Sequence, residues 1–156
     1  MENFITGSSS SSSRPIHVYL SLKGDDETCR FIDMLWAALE TDDLNTFWDD
    51  KKLEPSDSIS LPRYCRKAIK QSTISIVVFS KSYASSLWCL EELSKIAERI
   101  LEPRYTVIPI FYDVLPSEVQ NQTNSFESPF TKHEKMFTTN LRQVQSWRSA
   151  MKQVAK

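Results

Sequence analysis

Residues 74–93 read Ile-Ser-Ile-Val-Val-Phe-Ser-Lys-Ser-Tyr-Ala-Ser-Ser-Leu-Trp-Cys-Leu-Glu-Glu-Leu. The run 74–79 is almost entirely apolar, which predicts a buried strand. A helix from about 86 to 101 is predicted next, because Ser85 or Ser86 can accept a hydrogen bond from its first amides. The stretch is therefore a strand–loop–helix unit, and ligands of open α/β sheets bind where such strands end.

Two acidic residues, Glu91 and Glu92, lie near the start of this helix. At about 100° per residue, Glu92 lies at the edge of the apolar stripe, four residues after Trp88, whereas Glu91 points toward solvent. We therefore expect Glu92 at the mouth of a cleft. The residues alone leave two interpretations open: a boundary glutamate that favours the helix dipole, or a catalytic carboxylate.

The rest of the chain alternates between predicted strands and helices. Strands are predicted at 15–22, 44–48, 74–79 and 105–112, and helices at about 27–40, 60–71, 86–101, 125–137 and 141–155. The two longest apolar strands indicate a parallel sheet that is covered on both faces. Pro109 cannot donate a backbone hydrogen bond, so its strand is predicted at or near a sheet edge. We expect an α/β fold, a flavodoxin-like three-layer sandwich with a four- to five-stranded parallel sheet and helices on both faces.

Composition narrows the classes of function. The length of 156 residues suggests one domain, and the net charge of −1 gives no general attraction to nucleic acid or anionic membranes. No apolar run is long enough to span a bilayer. The only glycines, Gly7 and Gly24, are too few for a dinucleotide fingerprint and too far apart for a Walker A loop. Three widely spaced cysteines with two isolated histidines indicate reduced thiols and no metal site. The serine-rich residues 1–14 are predicted to be a disordered tail, with the folded domain at 15–156.

Three local features complete the analysis of the residues. Gly24 follows the first strand and is expected to adopt a backbone conformation that other residues resist. The polar loop 49–58 is either a solvated connection or a mobile lid and docking surface. Neither histidine has the context of a hydrolase triad.

A flavodoxin or receiver-type domain is a weak alternative, because no flavin phosphate loop is evident and Asp25 and Asp26 supply only part of a receiver's acidic cluster.

Several stretches resemble the motifs of plant TIR (Toll/interleukin-1 receptor) domains. They are Tyr19 to Asp26, similar to "FLSFRGED"; Phe47 to Leu53, similar to "FxDDxxL"; Lys67 to Ser72, similar to "KAIxxS"; Ile74 to Leu93, similar to "ISIVVFSxxYAxSxWCLxEL"; Val107 to Val119, similar to "VIPIFYDVDPSxV"; and Trp147 to Ala150, similar to "WRxAL". The motifs occur in order and extend over about residues 15–155, so the resemblance covers the whole predicted domain.

The resemblance implies an activity. Many plant TIR domains cleave NAD+ at the nicotinamide glycosidic bond and release nicotinamide, ADP-ribose and cyclic or related nucleotides, which trigger immune responses and cell death. The catalytic glutamate of the family is the second acid of "WCLxEL", which is Glu92 here. The resemblance places the residues that bind NAD+ at the end of the first strand and next to Glu92: Tyr19, Leu22, Lys23, Gly24 and Trp88. NAD+ would be a substrate, and no cofactor or metal is implied.

The resemblance also implies self-association, or pairing with other TIR-domain proteins, in the cytoplasm, with the nucleus left open as a second compartment. One association surface of the family falls on Asp33 and Met34. The chain departs from the family motifs at a set of positions: Leu22, Lys23, Thr28, Asp33, Met34 and Ser56. We therefore expect weak or assembly-dependent cleavage of NAD+. The alternative is a non-catalytic TIR adaptor that only binds other TIR domains.

Overall fold

The computed structural model describes residues 4–5, 17–24, 28–41, 45–48 and 61–156. In these ranges the strands are β1 (Phe4–Ile5), β2 (His17–Ser21), β3 (Asn45–Phe47), β4 (Ile74–Phe79) and β5 (Thr106–Phe111). The helices are α1 (Cys29–Thr41), α2 (Arg63–Gln71), α3 (Leu87–Glu98), α4 (Pro116–Asn121), α5 (Glu127–Met136) and α6 (Leu141–Val154). The predicted alternation of strands and helices is confirmed.

The strands form one sheet in the order β1-β3-β2-β4-β5. β2, β3, β4 and β5 run parallel, as predicted, with Tyr19 opposite Phe47 and Leu20 opposite Ile76. β1 pairs antiparallel with β3. The prediction of a disordered tail over residues 1–14 is therefore wrong for Phe4–Ile5, and the other residues of that tail lie outside the described ranges.

The prediction of an edge strand at 105–112 is confirmed, because β5 ends the sheet. The amide of Thr106 donates to the carbonyl of Thr73, just before β4, at 3.0 Å, and the amide of Tyr112 donates to the carbonyl of Phe79 in β4 at 2.9 Å. Backbone groups alternate in direction along a strand. The odd-numbered residues of β5 therefore direct their backbone groups away from the sheet, and Pro109 occupies a position where an N–H would face outward. This is where an edge strand tolerates proline.

Two apolar cores lie on opposite faces of the sheet. Tyr19, Val77 and Phe79 face α2, α3 and α6, together with buried residues such as Leu90, Leu93 and Trp147. Val18, Leu20 and Val78 face α1, whose Ile32 and Leu39 cover them. The alternation follows from the two-residue period of a strand, and it gives the three layers that the sequence predicts.

The local signals for helix ends are partly confirmed. Ser86 begins α3, where its side chain accepts a hydrogen bond from the Cys89 amide at 3.1 Å. The short helix α4, which begins at Pro116, is not among the predicted helices. Proline suits a first helical position because its missing N–H would have no partner there. No helix among the described residues is long and apolar enough to cross a membrane.

Candidate functional site

The side chain of Glu92 points from α3 into the layer between this helix and the sheet. It is buried, with an exposed fraction of 0%. Its Oε1 accepts a hydrogen bond from Ser21 Oγ at 2.8 Å, and its Oε2 accepts a short hydrogen bond from the Tyr19 hydroxyl. The N-cap at Ser86 sets where α3 begins and thereby which face of the helix presents Glu92 to β2.

Two residues of β2 meet the carboxylate because they lie two positions apart and share a face of the strand. Tyr83 extends the group: its hydroxyl lies 2.9 Å from Ser21 Oγ and 3.1 Å from the Cys89 carbonyl. We call Glu92, Tyr19, Ser21 and Tyr83 the Glu92 cluster. It is a buried polar group inside the larger of the two apolar cores.

Electrostatics keep both tyrosines of the cluster protonated. Burial raises the pKa of Tyr19 well above its ordinary value, and the negative charge of Glu92 raises it further. Burial also raises the pKa of Tyr83, with smaller contributions from Cys89 and Glu92. Both hydroxyls are therefore proton donors at neutral pH. Two hydroxyl donors, those of Tyr19 and Ser21, hold the carboxylate oxygens at fixed positions.

The predicted position of Glu92 at the mouth of a cleft is wrong for this structure. The side chain of Glu92 instead faces β2, where Tyr19 and Ser21 donate hydrogen bonds to it. The prediction that Glu91 points toward solvent is also wrong, because α6 packs along α3. Glu91 Oε2 accepts hydrogen bonds from Trp147 Nε1, at 2.9 Å, and from Gln143.

The other predicted substrate-binding residues do not all gather at Glu92. Leu22 is 1% exposed and belongs to the core on the α1 side of the sheet, away from the Glu92 cluster. Lys23 and Gly24 are partly exposed after the end of β2. Trp88 is half-buried and packs against the core that contains the Glu92 cluster. Of the set, Tyr19 makes a hydrogen bond with Glu92.

The expectation for Gly24 is wrong, because its φ is not positive. A Cβ at this position would lie 3.7 Å from the nearest side-chain atoms of Ile32 and Trp48, which is ordinary contact. An L-residue would therefore fit.

The predicted association residues lie on α1. Asp33 and Met34 are both exposed, and Met34 is 71% exposed, which is high for a large apolar side chain. The predicted lid at 49–58, including Ser56, lies outside the described residues, as do Asp25 and Asp26. Within the described ranges, no three His, Cys, Asp or Glu side chains are grouped as metal ligands.

Sequence reasoning missed Ser21 and Tyr83. Ser21 stands two residues after Tyr19 in an otherwise apolar strand, and a polar residue facing a core is a signal that a buried partner exists. Tyr83 gives no comparable signal, because it lies in a turn of 3-10 helix (Tyr83–Ser85) between β4 and α3. Only the folded chain shows that its hydroxyl reaches Ser21.

Comparisons with known proteins agree with this architecture. The TIR domain family matches residues 16–156. TMV resistance protein N of Nicotiana glutinosa is 46% identical over 149 residues, which are 95% of this chain and 13% of that protein. Disease resistance protein RPV1 of Vitis rotundifolia is 39% identical over 154 residues, which are 94% of this chain and 11% of that protein. The chain thus spans only a small part of the length of these relatives.

A solved structure is similar over most of its length as well. The TIR domains of the activated Roq1 resistosome, which directly recognises the pathogen effector XopQ, are 41% identical to this chain. The superposition has a TM-score of 0.78 and covers 90% of this chain and 83% of that one. It confirms the predicted α/β three-layer fold with its parallel sheet. The chain belongs to the TIR domain family and is homologous to plant disease-resistance proteins.

Proposed function

We propose that the chain is an NAD+-cleaving signalling domain of plant immunity, in which Glu92 is the catalytic carboxylate. The observation that carries the proposal is the Glu92 carboxylate itself, buried in an apolar core and held by two hydroxyl donors. Burying a carboxylate costs free energy that an apolar residue would not cost. Ionisable groups kept in such surroundings occur preferentially at functional sites.

The chemistry requires one well-placed negative charge. When the bond between the ribose C1′ and the nicotinamide nitrogen breaks, both electrons leave with the nitrogen, so that nicotinamide departs neutral. The ribose is left with oxocarbenium character, which the Glu92 carboxylate stabilises while it accepts hydrogen bonds from ribose hydroxyls. Water then adds to C1′ and loses a proton to solvent, which gives ADP-ribose. Attack by a group of the nucleotide itself would give cyclic products.

Access to Glu92 requires a rearrangement, because the side chain has no exposed surface. We propose that assembly of several copies, or pairing with another TIR domain, opens the layer next to Glu92 and admits NAD+. The similar TIR domains belong to the activated Roq1 resistosome, which supports a role for assembly in activation. Exposed Asp33 and Met34 on α1 are the proposed contact surface. Cleavage is then weak in the isolated chain and depends on assembly, and we place it in the cytoplasm.

The test is to measure nicotinamide release from NAD+ by the chain alone and by the chain fused to an oligomer-forming partner. We expect release to rise on oligomerisation and to be lost in Glu92→Gln. Glu91→Gln is the matched control, since it changes the neighbouring acid, which contacts α6 and not the Glu92 cluster. Release that persists in Glu92→Gln would contradict the assignment of the catalytic residue.

A second candidate function is a non-catalytic TIR adaptor, which the complete burial of Glu92 favours. In that case the Glu92 cluster is a structural element of the core and α1 binds other TIR domains. Light scattering would then detect association that Met34→Glu abolishes, while no oligomeric form releases nicotinamide. Association together with release would leave only the catalytic proposal.

A further inference from the structure

The Tyr19 side chain is held rigidly at the Glu92 carboxylate. Its ring is fully buried and stacks on Phe47, with ring centroids 5.2 Å apart and an angle of 18° between the planes. Burial and this stacking hold the ring in place, and its hydroxyl donates to Glu92 Oε2. The hydrogen bond is therefore built into the fold.

A substrate that binds through its ribose hydroxyls needs the same carboxylate oxygens. In the present arrangement one oxygen is taken by Tyr19 and the other by Ser21. Each ribose hydroxyl must either displace the Tyr19 or Ser21 hydroxyl from the Glu92 carboxylate or share the same carboxylate oxygen with it. In the free protein, the carboxylate that the proposed reaction uses is thus already hydrogen-bonded on both oxygens.

We propose that Tyr19 is a positioning residue that holds Glu92 in its substrate-free arrangement and thereby raises the concentration of NAD+ needed to occupy the site. The inference rests on the proposed function of Glu92. It changes the role expected for Tyr19, from a residue that binds NAD+ to one that competes with it for the carboxylate.

The contact with Glu92 depends on the hydroxyl of Tyr19 and not on its ring. A phenylalanine would keep the ring that stacks on Phe47 and would lack the hydroxyl. The hydroxyl also remains protonated, because burial and the charge of Glu92 raise the pKa of Tyr19.

The experiment compares Tyr19→Phe with Tyr105→Phe in the oligomer-forming fusion. Tyr105 is a matched control, since its buried hydroxyl donates to Ser75 Oγ at 2.6 Å in the same core, away from Glu92. Tyr19→Phe is expected to lower the KM for NAD+ about tenfold, the effect of one hydrogen bond to a charged group. The kcat is expected to stay unchanged. The substrate displaces the Tyr19 hydroxyl from Glu92 both in the bound complex and in the transition state, so the variant does not change the free-energy difference between these two states. Tyr105→Phe leaves both constants unchanged.

Binding of NAD+ is measured in parallel by saturation-transfer NMR on its ribose protons. Tyr19→Phe is expected to bind more tightly than the wild type, and the gain is expected to disappear in the double variant Tyr19→Phe/Glu92→Ala. Tighter binding without nicotinamide release would sustain this inference while overturning the proposed cleavage. Equal NAD+ affinity of wild type and Tyr19→Phe, or an equal gain in Tyr105→Phe, would overturn the inference.

Discussion

A double-mutant cycle between Tyr19 and Glu92 measures the hydrogen bond on which the site depends. The variants are Tyr19→Phe, Glu92→Met and the double variant. Phenylalanine removes only the hydroxyl, and methionine has about the length of glutamate without its charge. Both side chains are fully buried, so solvent does not replace the lost partner.

The contacts in the structure determine how much each substitution should change the free energy of unfolding. Tyr19→Phe removes a hydrogen bond to a charged group, which costs about 1.5–3 kcal/mol of the free energy of unfolding. Glu92→Met removes the carboxylate acceptor of the buried Tyr19 hydroxyl, which keeps Cys65 as a hydrogen-bonding neighbour. The lost hydrogen bond costs about 1–3 kcal/mol and offsets the gain from no longer burying a carboxylate. Ser21 keeps Tyr83 as a neighbour at 2.9 Å. The double variant has neither partner, and its free energy of unfolding is expected to equal or exceed that of the wild type.

The assay is urea unfolding followed by circular dichroism for the four proteins at one pH. We expect an interaction energy of about 1.5–3 kcal/mol between the two substitutions. Additive effects, with an interaction energy below about 0.5 kcal/mol, would mean that the two residues are not coupled. That result would refute the hydrogen bond and, with it, the proposed role of Tyr19.

Two further predictions concern α3. Desolvation by burial raises the pKa of Glu91 above its ordinary value of 4.5, although hydrogen bonds from Trp147 and Gln143 oppose the shift. The native state therefore binds this proton more tightly than the unfolded chain, and the free energy of unfolding falls as pH rises from about 4.5 through the raised pKa. Glu91→Gln should remove this fall, as urea unfolding at several pH values would show, and parallel curves for the two proteins would contradict it. Ser86→Ala removes the N-cap of α3 and should lower the free energy of unfolding by about 1 kcal/mol in the same assay, whereas Ser86→Asp should retain most of it. An unchanged urea midpoint of unfolding in Ser86→Ala would show that the Ser86 side chain does not stabilise α3.

The strands and helices that the sequence predicts correctly carry strong local signals. β4 and α3 follow from an apolar run and a capped helix, and the edge position of β5 follows from Pro109. The elements that it misses are short. β1 has two residues and α4 has six, so neither is long enough to show a period.

The surroundings of Glu92 could not be predicted, because they depend on tertiary contacts. A helical wheel assigns one buried face, whereas α3 is covered by the sheet on one side and by α6 on the other. Glu92 therefore faces β2, and Glu91 contacts Trp147. The choice of Glu92 as the candidate catalytic acid followed from the family resemblance, but its burial and its hydrogen-bond donors could be seen only in the folded chain.

The two ends of the sheet have a consequence for how copies can meet. Among the described residues, the outermost strand at one end, β1, has two residues, and at the other end Pro109 interrupts the outward row of amides on β5. Short strands and proline at a sheet edge discourage pairing with a strand of another molecule. In the proposed association of copies, side chains on helices and loops are therefore the expected contacts. Single substitutions can retune such a surface, so partner choice can diverge while the sheet stays the same.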